Sequence, residues 1–270
     1  MTDKYCFNIP EGGSKSLDIL DYLFNNTTQT RLVNSGLNKG MNVLEIGCGS
    51  GVMSCWIAKQ IGSDGALTAI DNSQNQIDAA KLYAHNNETT NIDFRCLDAN
   101  DILPLDMKFD FIYCRFVLHH LLKPREVIKN IYSLLNPGGI AAIEEGIVNH
   151  AFTYPYTTAF GNERFNILDQ HNNFEGKQRD GNFGIKLWHS MHNTGFNHLS
   201  LNIVSPALTS KTDKMMLKPG LIDSKQSALE SGLSEKAWEE KMQQLDQLIE
   251  DESAIVGFYQ SVQVSGVKAE

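Results

Sequence analysis

Three glycines crowd the stretch Val43 to Gly51, VLEIGCGSG, and two isolated acids follow at the ends of apolar runs, Asp71 and Asp98. Glycine at 47, 49 and 51 lets the chain turn with φ > 0 and brings a ligand close to the backbone N–H groups at a helix start. Asp71 falls twenty positions after Gly51, where a doubly wound fold sets a carboxylate against a ribose diol. A dinucleotide would fit equally well up to this point. Asp98, followed by Ala99, closes the next strand, and a carboxylate there can accept from an adenine amino group. The two acids together favour an adenosine ligand.

The elements that must hold these groups alternate between strand and helix. Val43 to Ile46 reads as a buried parallel strand and Val52 to Ile61 as a helix; Ala66 to Ile70 reads as a second strand. Asn72 to Asn86 carries Ile77, Ala80 and Ala84 at helix spacing, with Asn72 or Ser73 as its cap. Ile92 to Leu97 is the third strand, and Phe109 to Cys114 the fourth, with Asp110 as a turn residue at its start. A helix from Pro124 to Leu135 stops at Asn136-Pro137-Gly138-Gly139, and the fifth strand, Ile140 to Ile143, ends in Glu144-Glu145. Upstream, Leu17, Leu20, Leu23, Phe24, Leu32, Val33 and Leu37 predict two short helices.

The motifs in this order resemble the class I S-adenosylmethionine-dependent methyltransferases. The matching stretches are VLEIGCGSG, AIDNSQNQIDAAK (Ala69 to Lys81), LDAND (Leu97 to Asp101), FDFIYCRFVLHHL (Phe109 to Leu121) and LLNPGGI (Leu134 to Ile140). The likeness is to the small-molecule, quinone-methylating type. It implies one α/β domain over residues 1–270, with a Rossmann-like, seven-stranded, mostly parallel sheet and helices on both faces. Residues 1–40 would form a helical cover, 41–145 the cofactor-binding core, 146–184 a lid insertion and 185–270 the remainder, with a helical insertion at about 210–255. The antiparallel last strand, Val262 to Lys268, would lie between the fifth strand and the sixth, His198 to Val204, which follows a helix from Ile185 to Asn193.

The resemblance also implies S-adenosylmethionine as methyl donor and S-adenosylhomocysteine as product. It places Glu45, Gly47, Cys48, Gly49, Gly51, Asp71, Asn72, Gln76, Asp98, Ala99 and Arg115 at the cofactor. The glycine loop would hold the methionyl part, Asp71 the ribose hydroxyls, and Asp98 with Ala99 the adenine. Ile77 either packs on the adenine or belongs to the core. Arg115 either meets the cofactor's carboxylate or ties down a loop.

Proton acceptance from the methyl acceptor could fall to His119, His120, Glu144 or Tyr5, since histidine titrates near neutrality and the strand-end acids lie near the transferable methyl. Neighbouring histidines on a helix cannot both face one site, and strand-end acids can equally be solvated turn residues. Tyr5, Phe7 and the Glu11-Gly12-Gly13 turn could contact substrate from a terminal arm. The aromatic residues Phe152, Tyr154, Tyr156, Phe160, Phe165 and Phe174 suit either a lid over an aromatic or apolar small molecule or ordinary packing. Trp238, Met242, Leu245, Leu248 and Ile249 form a stripe for packing within the chain or in a homodimer.

Composition narrows the partners. A hydrophobic content of 41% supplies a core. The net charge of -9, pI 5.4 and lack of a dense Lys/Arg run argue against nucleic acid or an anionic membrane as a partner. No apolar run reaches the ~20 residues that span a bilayer. Cys6, Cys48, Cys55, Cys96 and Cys114 occur singly, which suggests a reducing, cytoplasmic setting, with the last four expected to be buried. No spacing of His, Cys or acids calls for a metal. Two other readings stay open: a nicotinamide-dependent oxidoreductase, whose fingerprint is G-x-G-x-x-G and has no use for Asp98, and a non-catalytic cofactor-binding module.

Overall fold

The computed structural model describes residues 15–157, 173–174, 177–178, 180–230 and 232–270. The chain enters as a single helix, α1 (Lys15–Ser35), where two short ones are predicted. Nothing between these limits breaks it, and Gly36, at φ 111°, ends it. Strands and helices then alternate: β1 (Asn42–Ile46), α2 (Val52–Ile61), β2 (Ala66–Asp71), α3 (Gln74–Asn86), β3 (Ile92–Cys96), β4 (Phe109–Arg115), α4 (Pro124–Leu134) and β5 (Leu135–Ile147). Ser73 caps α3 by accepting from the Gln76 N–H. In α4, Val127, Ile128, Ile131 and Leu134 form one buried stripe, each worth roughly 1.5–3 kcal/mol of apolar transfer.

The remaining elements are β6 (Phe152–Tyr154), a hairpin of β7 (Asn173–Phe174) and β8 (Lys177–Gln178), α5 (Gly184–Thr194), β9 (Asn197–Val204), β10 (Ala207–Leu208), α6 (Lys211–Met215), α7 (Leu217–Asp223), α8 (Lys225–Glu230), α9 (Glu235–Glu250), β11 (Ile255–Gly257) and β12 (Gln260–Val267). The main sheet has the order β3-β2-β1-β4-β5-β12-β9. β1 to β5 pair in parallel, and β12 runs antiparallel to both β5 and β9, as the sequence predicts.

Alternate residues of the strands feed two cores. Val43, Leu67, Ala69, Phe111, Tyr113 and Ala142 pack with Leu32 of α1 and with α2 and α3. Leu44, Ile46, Ile70, Ile112, Cys114 and Ile143 pack with α4 and α5 on the other face. Ile77 belongs to the first of these cores at 1% exposure, so the core reading holds for it.

Several predicted boundaries move. Asp110 lies inside β4, and its carboxylate accepts from the Asn42 N–H and the Asn136 amide at 2.9 and 2.8 Å. Pairing of β5 begins at Leu135, and the Asn136–Gly139 turn is looped out of register and tied to the Lys268 backbone. Gly146 and Ile147, assigned to the insertion by sequence, finish β5. Within that insertion β6 joins a separate antiparallel sheet, β10-β11-β6, while Phe160 and Phe165 lie outside the described residues. The α9 stripe is satisfied within the chain, with Trp238, Leu245, Leu248 and Ile249 buried. Cys96 is exposed, contrary to expectation, because it ends the edge strand β3; Cys48, Cys55 and Cys114 are buried. Among the described residues no helix is long and apolar enough to cross a membrane, and no cluster could hold a metal ion.

Candidate functional site

The strand order reverses direction between β1 and β4, and the carboxyl ends of the parallel strands meet there, the place where open α/β sheets bind ligands. Gly47, at φ 78°, turns the chain out of β1. The Gly47 and Cys48 N–H groups both donate to the Ile70 carbonyl, at 2.8 and 2.9 Å, which fastens the loop to β2. Gly51 opens α2 with φ 83°, and a Cβ there would come 2.8 Å from Ala80 Cβ. Burial pushes the Cys48 thiol well above its ordinary range, so it packs as a neutral side chain.

Asp71 sits where the sequence predicts. Its Oδ2 accepts from the Gly49 N–H at 3.1 Å and its Oδ1 from the Ser73 N–H at 2.9 Å. Burial raises its pKa against the pull of those backbone bonds. Each oxygen keeps further acceptor capacity. Beside it, Asn72 Oδ1 and Gln76 Oε1 are buried without hydrogen-bond partners among the described residues. Unpaired buried acceptors are costly, and a ligand rich in O–H and N–H donors, such as an adenosine, would satisfy them. Asp98 accepts from the Asn100 N–H and amide, both on Oδ1 at 2.8 Å, and leads into a 3-10 turn that begins at buried Ala99. Glu45 is enclosed beneath the glycine loop, bonded to Ser54 Oγ at 2.5 Å, and burial pushes its pKa up to about 7.

Across the switch point, β4 ends in a turn through Phe116, a non-glycine residue held at φ 54°. The turn carries Val117 directly over the glycine loop: a Cβ on Gly47 would fall 2.2 Å from Val117 Cγ2. Glu145 secures the arrangement from β5. Its Oε1 accepts from the Val117 and Leu118 N–H groups at 3.0 and 2.7 Å, and its Oε2 lies 2.6 Å from His119 Nδ1. The carboxylate has no exposed surface, whereas the His119 side chain is 20% exposed. His119 and His120 occupy a 3-10 turn, Leu118–His120, and their ring centroids are 3.9 Å apart.

Two sequence candidates take a different part. Arg115 faces α1, pairing with Asp21 at 2.8 Å and donating to Asn25 at 2.8 Å. Burial opposes its charge, but Tyr113, Glu144 and Asp21 beside it hold its pKa up. Glu144, read from sequence as a catalytic or solvated strand-end acid, is buried and accepts from Thr28 and Ser261 hydroxyls at 2.7 and 2.5 Å. Its pKa is raised by burial, with Arg115 opposing. Both residues therefore fasten the covering helix. Tyr5, with Cys6, Phe7 and Glu11 to Gly13, lies outside the described residues. The same helix supplies Phe24 to an aromatic group with Phe116 and Tyr259, at centroid distances of 5.2 and 5.9 Å, and Phe116 lies 6.5 Å from the His119 ring.

Sequence reasoning missed the clasp made by Glu145 and the polar face of α1. Asp21, Asn25 and Thr28 recur at i, i+4 and i+7, a helical stripe that could have signalled the second. No local signal separates Glu145 from Glu144.

Fold and crevice define a doubly wound α/β protein with a ligand site at the β1/β4 switch point. A family model described as a methyltransferase domain matches residues 37–191, more than half of the chain, and the protein belongs to that family. It is 36% identical over 132 residues to the ubiquinone biosynthesis O-methyltransferase of Coxiella burnetii, an alignment covering 48% of this chain and 53% of the relative. The chain thus spans about half the length of the curated relatives it matches. In fold it is similar to the YcgJ protein of Bacillus subtilis, with a TM-score of 0.59 at 15% identity over 91% of this chain and 99% of that one. It is also similar to phosphoethanolamine N-methyltransferase 2 of Haemonchus contortus in complex with S-adenosyl-L-methionine (TM-score 0.53, 17% identity, 98% of this chain and 54% of that one).

Proposed function

We propose that this chain, as one methyltransferase domain, transfers a methyl group from S-adenosylmethionine to a small-molecule acceptor and releases S-adenosylhomocysteine. The observation that carries the reading is the bond from the Gly49 N–H to Asp71 Oδ2, which joins the glycine loop to the strand-end acid inside the stretch matched by the family model. The buried acceptors Asn72 Oδ1 and Gln76 Oε1 support an adenosine ligand at the same place. Bound S-adenosylmethionine supplies a methyl group on a cationic sulfur.

The chain's own contribution is alignment and exclusion of water. Asp71 holds the ribose hydroxyls, Asp98 and Ala99 flank the adenine, and the glycine loop under Val117 receives the methionyl part. Fixing two reactants in attack geometry can remove up to ~7–11 kcal/mol of barrier. Because positive charge disperses as the methyl moves, no oxyanion hole is required. His119 is the proton acceptor for the incoming nucleophile, and the partly exposed rings of Phe116 and Tyr259, backed by Phe24, favour an aromatic or apolar acceptor. The relative's name, ubiquinone biosynthesis O-methyltransferase, agrees with a ring hydroxyl as the methylated group.

Thermal unfolding with S-adenosylhomocysteine, S-adenosylmethionine and NAD separately tests the reading on wild type and Asp71→Ala. The two adenosyl compounds at a hundred times their Kd should stabilise the wild type by about 2.7 kcal/mol and the variant far less. Stabilisation by NAD alone would favour the oxidoreductase. Cofactor binding without labelled product from any quinol or phenol acceptor offered would favour the non-catalytic module.

A further inference from the structure

We propose that Glu145 is a positioning residue that joins the two halves of the crevice: its carboxylate decides which ring nitrogen of His119 carries the proton and holds Val117 over Gly47. The inference rests on the methyl-transfer reading for its purpose, but its geometry is independent of that reading.

Four contacts converge on one buried carboxylate. Glu145 is 0% exposed, yet it faces the Val117 and Leu118 N–H groups at 3.0 and 2.7 Å, with the His119 N–H at 3.4 Å. These three are obligatory donors, so the carboxylate must accept. The fourth contact, His119 Nδ1 at 2.6 Å from Oε2, then completes the set as a further donor, which assigns the ring proton to Nδ1. In the neutral ring Nε2 then carries the lone pair, and that ring retains solvent access while Glu145 has none. A base held in one tautomer by a buried acid is the arrangement a proton acceptor needs.

The second task follows from the backbone bonds. Phe116 is held at a positive φ that is strained for a non-glycine residue, and such a turn persists only where its surroundings over-determine it. The two bonds to Glu145 Oε1 are what over-determine it on the His119 side, and the Phe116 N–H bond to the Glu144 carbonyl does so on the other. The turn so fixed places Val117 where only a glycine fits beneath it. The same carboxylate therefore sets the proton-accepting ring and the roof of the cofactor loop.

Substituting Glu145→Gln keeps the shape and changes the chemistry. An amide has one acceptor oxygen; if it serves Val117 and Leu118, its NH2 faces Nδ1, which must then accept, and the ring proton moves to Nε2. The experiment is 15N NMR of histidine-labelled full-length protein, with His119 assigned by its loss in His119→Gln. Wild type should show the Nδ1–H tautomer and Glu145→Gln the Nε2–H tautomer. The variant should also bind S-adenosylhomocysteine at least threefold more weakly, because the roof over Gly47 loosens. Nε2–H in the wild type would overturn the proposal whether or not the variant folds, and so would an unchanged tautomer in a folded variant. If wild-type protein binds no adenosyl ligand but shows the Nδ1–H tautomer and the switch, the methyl-transfer reading fails and the positioning role stands.

Discussion

Glu144 and Glu145 are neighbours on one strand, and both are buried, but they face opposite sides of the sheet. Period-two alternation sends Glu144 to the face covered by α1, α2 and α3 and Glu145 to the face covered by α4 and α5. On the first face, the carboxyl ends of the strands form an ionic seam: Glu45, Arg115 and Glu144, closed by Asp21, Asn25 and Thr28 of the covering helix. On the second, Glu145 stands at the end of an otherwise apolar surface and holds a backbone turn and a histidine. Burial is common to both acids, so burial alone does not identify a functional carboxylate. What differs is the partner: hydroxyls and a guanidinium for one, loop N–H groups and an imidazole for the other.

The largest expected effect breaks the seam and leaves the clasp. Arg115→Met leaves Asp21 and Glu144 buried beside no cation, and removing one partner of such a pair costs about 3 kcal/mol, the low end of the usual range because Asp21 keeps some solvent. Urea unfolding should register that loss while the His119 tautomer stays as in wild type; a changed tautomer would show that the two faces are coupled. A smaller effect strikes the crevice itself. Gly47→Ala forces a side chain into a left-handed conformation, about 1–2 kcal/mol, and into Val117. Its fold should survive by circular dichroism, while calorimetric titration finds little S-adenosylhomocysteine binding; full affinity would refute the roof over the loop.

The smallest effect concerns pH. Burial raises the folded-state pKa of Glu45 from an ordinary 4.5 to about 7, so the folded protein holds that proton more tightly than the unfolded chain does. Its stabilising contribution is complete below pH 4.5 and is lost as pH rises towards 7. Glu45→Gln should flatten that part of the stability profile in denaturant melts taken across the window. An unchanged slope would mean that Ser54 and Arg115 keep the carboxylate charged, and the seam would then be a fully ionised network.

Much of the fold, and the placement of the glycine loop and the strand-end acids, is legible because the signals are local. A glycine-rich turn between an apolar run and a helix reads from contiguous residues, as do Asp71 and Asp98 at strand ends; the antiparallel last strand takes its expected place in the sheet, with its bounds moved from Val262–Lys268 to Gln260–Val267. The fastening of α1 by Arg115 and Glu144 is not legible, for the opposite reason. Their partners lie far away in sequence, at Asp21, Thr28 and Ser261, and an exposed-looking strand end became an interior once α1 lay across it.

The alternation of strand and helix, the loop that needs φ > 0 and the acids that follow it are dictated locally, since each depends on the steric and hydrogen-bonding properties of a few adjacent residues. Which of two adjacent glutamates meets a helix and which meets a histidine is settled only once the elements pack. Side-chain alternation separates them, but the identity of each face is fixed by sheet order and by helices packed from distant parts of the chain.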